Sequence, residues 1–204
     1  MNRYSFDLII KHSNETSLKV RKEFRKEVSN VKTIFTVLDN LFRGKEQYPI
    51  SLQRNVQLAL ISRFTNHIFS LFLLNERGLI LDAFNASRSA IETTAFYWLV
   101  CVDPGAANLY QGERSLAPVK VREMLEARGV DVKDLRELYS LESGISHVGN
   151  DSDNLQIRWE EKKSGKLLIG GSFDPEVQKH ILNSIPAMAA MFVQHDPDCT
   201  VTYE

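Results

Sequence analysis

The sequence is poor in cysteine, with two in 204 residues, Cys101 and Cys199. A disulfide scaffold and a four-cysteine zinc site are thereby excluded. It also lacks an excess of charge of either sign: 25 Lys+Arg stand against 26 Asp+Glu, a formal net charge of −1. That balance excludes a strongly basic nucleic-acid binder and an acidic disordered tail. No apolar run reaches about 18 residues without a charge, so no transmembrane helix and no membrane partner is expected. The opening residues MNRYSFDLIIKHSNETS hold no long apolar core and no small-residue cleavage site. No signal peptide is expected, and a cytoplasmic location follows from that expectation. The motifs GxGxxG, GxxxxGK[ST] and GxSxG are all missing.

What is present is a chain of one-domain length, 43% hydrophobic. Such a chain buries about 70% of the surface that its unfolded form exposes. Its apolar residues recur mostly at helical spacing. Val20, Phe24, Val28, Val31, Phe35, Leu38 and Phe42 step by three or four, and Gly44 and Pro49 end the run. Ser51 is placed to cap a second helix through Val56, Leu60, Phe64, Ile68 and Leu71. Gly78 precedes a third, from about Leu79 to Val102, which Asp103-Pro104-Gly105 turns off. A weaker helix over 116–128 closes at Gly129, and Asp131 opens another with Asp134 three residues on. Asp174-Pro175 starts the last, in which Pro186 should produce a kink.

Between the last two helices the period changes to two. Leu155, Ile157 and Trp159 alternate with Gln156 and Arg158, and LLIGG is placed to return. The expected fold is therefore mainly α: a single domain over 1–204, a bundle of five to seven helices with one small β-hairpin near 155–170. The first three helices and the last should form the core, and residues 194–204 should be a flexible tail. Two strands alone are marginal, so they should pack on a helix or pair with another chain; the hairpin or an apolar helix face could support a homodimer, since twofold dimers are common.

Charge is distributed unevenly. Residues 1–54 carry a net +5, residues 174–204 a net −4 and the middle a net −2. The basic group Lys19, Arg21, Lys22, Arg25 and Lys26 could meet RNA or an acidic protein partner. Its ordinary reading is a solvated helix face.

Two constellations carry potential chemistry. On the third helix, apolar nearly all round, Arg88 and Glu92 are four residues apart and can pair. A guanidinium so placed keeps spare donors for an anionic ligand. The competing reading is an ion pair that ties helices together. On the helix from Asp131, Arg136, Tyr139, Ser143 and His147 form a stripe opposite the apolar line Leu138, Leu141, Ile145 and Val148. A histidine among donors suits acid–base work, and solvent exposure explains the stripe equally. No metal and no cofactor is expected: HVGNDSD lacks the glycine and glutamate of a Ca²⁺ loop, and no second His lies near His147. Cys101 ends an apolar helix and reads as a core thiol, Cys199 as free and exposed, and Phe96, Tyr97 and Trp98 as core.

The stretch ERGLILDAFNASRSAIETTAFYW, followed downstream by YSLESGISH, resembles an uncharacterised bacterial family of helical proteins. In that family an Arg-x-x-x-Glu or Arg-x-x-Glu helix precedes a Tyr…Ser…His helix. The resemblance covers about residues 70–150. It implies that Arg88 and Glu92 converge with Tyr139, Ser143 or Ser146, and His147 between two helices. The architecture is also broadly similar to the HEPN helical proteins, many of them ribonucleases of toxin–antitoxin and phage-defence systems. Their motif places four to six residues between Arg and His. Here Arg63 and His67 are separated by three, Arg3 and His12 by eight, and Arg136 and His147 by ten. None fits.

Three functions are compatible with these residues. The first is a non-catalytic interaction or regulatory module, since no catalytic motif is complete. The second is a HEPN-like ribonuclease with His147, Tyr139 and Arg136 as catalytic residues and Arg88 on phosphate. The third is a binder of a small anionic ligand through Arg88, Glu92 and Ser143.

Overall fold

The computed structural model describes residues 6–110, 116–146, 157–161, 164–167 and 173–199. Eight α-helices lie among them: α1 (Phe6–Glu23), α2 (Arg25–Glu46), α3 (Leu52–Glu76), α4 (Ile80–Val102), α5 (Ala107–Tyr110), α6 (Pro118–Glu126), α7 (Lys133–Ser146) and α8 (Pro175–Val193). The class is mainly α. The helix count exceeds the expected five to seven, for two reasons. The first apolar run is broken at Phe24, whose backbone (φ −113, ψ 42) separates α1 from α2. A four-residue turn, α5, also follows the 3-10 turn Pro104–Ala106.

Local chemistry sets the helix ends. The Ser51 side chain accepts from the Arg54 amide at 3.1 Å, and Asp174 Oδ1 accepts from the Val177 amide at 3.1 Å. These satisfy first-turn donors that the helix itself leaves unpaired. Gly78 and Gly129 adopt φ of +76, the left-handed turn that glycine makes without strain. Pro186 is accommodated inside α8, which runs on to Val193.

The helix α4 is central. It lies along α3 and is also packed by α6, α7 and α8. By length and composition alone α3 could cross a membrane; 44% of that apolar stretch is buried in the fold, where Leu60, Phe64, Ile68 and Leu71 enter the core. An aromatic stack ties three helices. Phe192 of α8 lies between Phe64 of α3 and Tyr97 of α4, with ring centroids 4.0 and 4.2 Å away. Trp98 is buried and Phe96 half-buried, as a core role requires. The segments Ile157–Glu161 and Ser164–Leu167 align antiparallel with each other, and no extensive contact joins them to a helix. Among the described residues, the hairpin expected near 155–170 contributes no sheet to the body of the protein.

The flexible tail expected over 194–204 needs correction for its first part. Asp196 is 4% exposed. Its Oδ1 accepts from Lys45 Nζ at 2.8 Å, and its Oδ2 accepts from the Tyr97 hydroxyl at 2.5 Å. Lys45, at the end of α2, is itself 1% exposed and also donates to Asp198 Oδ2 at 2.9 Å. Arg54 donates to the same oxygen at 2.7 Å, and the His195 ring meets Trp98 edge-on. Cys199 is half-buried beside this cluster, not exposed as expected. A buried ammonium cannot go unpaired without a large cost, so the chain after α8 is held down by charge. Residues 200–204 lie outside the described residues.

The basic group on the first helical run is divided by the Phe24 break. Arg21 is spent on Glu76, whose carboxylate is buried at the end of α3, and Lys19 lies over the Phe173 ring. Lys22, Arg25 and Lys26 are solvated.

Removing either member of the buried pair isolates the other. Asp196→Ala should lower unfolding stability by about 3–5 kcal/mol in urea titrations. The Lys45→Met/Asp196→Ala double variant should lose much less than the two single losses combined.

The pH dependence has a definite sign. Arg54 and Lys45 hold the Asp198 carboxyl below the usual carboxylate range. Its contribution is present above the unfolded value of about 3.9 and disappears as pH falls through the lower folded value. Urea midpoints measured from pH 7 to 2 should therefore drop below about pH 4. Asp198→Asn should flatten that drop.

Candidate functional site

The helices α4 and α7 lie against each other and bring two of the expected side-chain groups together. Arg88 donates from Nε to Glu92 Oε1 at 3.2 Å and from Nη2 to the Tyr139 hydroxyl at 2.7 Å. Its guanidinium carbon stands 4.9 Å from the Tyr139 ring centroid. A helix apolar nearly all round is expected to be buried, and α4 is buried over most of its length but not at this pair. Arg88 and Glu92 are 27% and 32% exposed, because one side of α4 remains partly open to solvent. Tyr139 is not on a solvent face either: it is half-buried against the core, beside Leu138 and next to the fully buried Leu135 in sequence register.

A second guanidinium joins from α6. Arg122 lies 4.6 Å from the same ring centroid. It makes no hydrogen bond or ion pair among the described residues. Two cations therefore share one phenol, an arrangement that ring quadrupoles favour, and one carboxylate, Glu92, stands beside them. From α3, Arg63 donates from Nε to His67 Nε2 at 3.4 Å. Burial and the Arg63 charge push the His67 imidazole below its ordinary range, while the charge of Glu92 opposes this. An imidazole that accepts at Nε2 is neutral and keeps its proton on Nδ1.

Other expected residues are placed differently. Arg136 is exposed and donates from Nη2 to Glu126 Oε2 of α6 at 2.7 Å, so it is engaged away from Arg88. Ser143 lies on α7, one turn beyond Tyr139. His147, and with it Asp151 and Asp153, lies outside the described residues. Among the described residues no group of three or more His, Cys, Asp and Glu could hold a metal. Cys101 accepts from Gln57 Nε2 at 3.5 Å, and burial pushes its thiol up to about 12. Such a thiol is a weak nucleophile at neutral pH.

Sequence reasoning missed Arg122 and the Lys45–Asp196 cluster. Arg122 has no pattern of its own on a short helix, and only the packing of α6 on α4 reveals it. The opposite net charges of residues 1–54 and 174–204 were a legible signal for Lys45, Arg54, Asp196 and Asp198. A separate groove of about 540 Å³ runs between α7 and α8, lined by Leu138, Met188 and Met191 with Asp134 and Glu137 at its edge. It includes none of the expected site residues.

No family model, no curated protein and no solved structure matches this chain.

Two outcomes check this geometry. Arg88→Ala should cost no more than about 1 kcal/mol in stability, since a pair this exposed contributes little. Native Cys101 should react with iodoacetamide at pH 8 more than about 100-fold slower than a free thiol, read by mass spectrometry.

Proposed function

We propose that this protein is a non-catalytic binding module whose ligand is anionic and sits at Arg88, Arg122 and Tyr139. One observation carries the reading: two guanidinium groups from different helices converge on one phenol, and among the described residues one carboxylate, Glu92, pairs with them, through Arg88. Guanidinium is the side chain best suited to planar, multidentate recognition of oxyanions. The groups are held in place by packing and by the ring, so little ordering is needed on binding. Location in a bacterial cytoplasm, assembly as a homodimer, a hairpin near 155–170 and membership of the helical family with the Arg-x-x-x-Glu helix belong to this proposal.

A HEPN-like ribonuclease is the second reading. It is favoured by the neutral His67, whose imidazole feels the charge of Glu92 in the same polar group. It is weakened by the engagement of Arg136 with Glu126.

The test is a thermal-shift panel of oxyanions on the full chain and on Arg88→Ala. A hundredfold excess over Kd should raise Tm by about 5–10 °C, and Arg88→Ala should abolish the rise while the free protein stays folded. If Arg88→Ala unfolds the protein, the residue is structural and the binding role is lost. Total RNA incubated with excess protein should stay intact. Its degradation, abolished by His67→Ala or by His147→Ala, would put the ribonuclease in place of the binding module.

A further inference from the structure

We infer that the group bound at Arg88, Arg122 and Tyr139 is a phosphoryl group rather than a carboxylate, with the Tyr139 hydroxyl as one of its donors. The inference rests on the anion-binding reading above and names its chemistry.

The donor inventory leads to it. A guanidinium carries five N–H groups. Arg88 spends two of its own, one on Glu92 and one on Tyr139. The other three have no acceptor among the described residues. Arg122 spends none there, and its position is set by the Tyr139 ring. The Tyr139 oxygen accepts from Arg88, so its own O–H is still available, and no acceptor for it is found among the described residues. The site is thus a set of unspent donors around one half-buried phenol. Among the described residues the one carboxylate paired there, Glu92, is already engaged by Arg88 and offsets only one of the two positive charges.

Geometry narrows the class of ligand. The donors come from three helices: Arg88 from α4, Arg122 from α6 and Tyr139 from α7. A carboxylate presents two oxygens in one plane and is satisfied by a single guanidinium fork. A phosphoryl group presents three or four oxygens arranged tetrahedrally. It can accept from two forks and a hydroxyl that approach from different directions. Its charge also matches the site better. Among the described residues Arg88 and Arg122 against Glu92 leave one uncompensated cation, and Arg63 on α3 bonds to His67, whose imidazole feels the charge of Glu92.

The phenol has two separable roles. Its ring holds the guanidinium groups by cation–π contact, and its hydroxyl donates to the ligand. Tyr139→Phe keeps the ring and removes the donor, so the two roles can be told apart.

The experiment is isothermal titration of the full chain at constant ionic strength with inorganic phosphate, glycerol 3-phosphate, dimethyl phosphate and acetate. Phosphate should bind at least about 10-fold tighter than acetate. Tyr139→Phe should weaken phosphate at least about 5-fold, and Arg122→Gln by more, with the melting temperature of the free protein nearly unchanged. Preference for glycerol 3-phosphate would identify a small phosphate ester as the source. Equal binding of dimethyl phosphate would identify a phosphodiester backbone. Both support the phosphoryl assignment. If acetate binds as well as phosphate, or Tyr139→Phe binds phosphate undiminished, the assignment is overturned while the anion-binding reading stands. If no oxyanion binds and Arg88→Ala changes nothing, both are overturned together.

Discussion

A single ammonium group constrains how this chain closes. Lys45 ends α2 in a place where water does not reach it, at 1% exposure. A charge there costs several kcal/mol unless carboxylates meet it. The carboxylates come from Asp196 and Asp198, about 150 residues further along the chain. To deliver them, α8 must run past α3 and α4, and in doing so it places Phe192 between Phe64 and Tyr97. Tyr97 then finds its hydroxyl partner on the same Asp196. Burial holds that hydroxyl far above its ordinary range, so it remains a donor. The aromatic stack and the ion pair thus require each other, and together they fix α2, α3, α4 and α8.

The molecule has two polar clusters of opposite character. Around Lys45, two cations meet two carboxylates and the charges balance; that cluster ties α2 and α3 to the chain after α8. Around Tyr139, two guanidinium groups meet one carboxylate, on a partly open side of α4, and most of their donors are unspent. Charge balance and the burial of Lys45 and Asp196 explain why the first cluster stabilises the fold and leaves no net charge for a ligand. Incomplete pairing is what makes the second the place to look for binding. Burial beside the first cluster also pushes the Cys101 thiol up to about 12, which makes it a weak nucleophile at neutral pH.

Much of the fold was legible in the sequence because it is local. Helical spacing of apolar residues located α3, α4 and α8 to within a residue or two, and Ser51 and Asp174 act as the caps that their types and positions indicated. The spacing of Arg88 and Glu92 was enough to predict their pairing, since residues four apart on a helix are neighbours. The break at Phe24 was not legible, because Val20, Phe24 and Val28 keep their spacing straight through it. The opposite net charges of the two ends of the chain signalled an attraction, but not that Asp196 itself would meet a buried Lys45. A polar string after a helix looks loose until something buried is shown to need it.

By itself the sequence determined the helical class, most helix ends and the pairing of Arg88 with Glu92, which share a helix face. Each of these depends on residues within a turn or two of one another. Only the tertiary structure decided that Tyr139 turns toward Arg88, that Arg122 joins it, that Arg136 is drawn away to Glu126, and that Lys45 is matched by the end of the chain. These are contacts between helices. Periodicity fixes which residues share a face, but not which face of a neighbouring helix they will meet. That choice is made by burying apolar surface and pairing charges over the whole molecule at once.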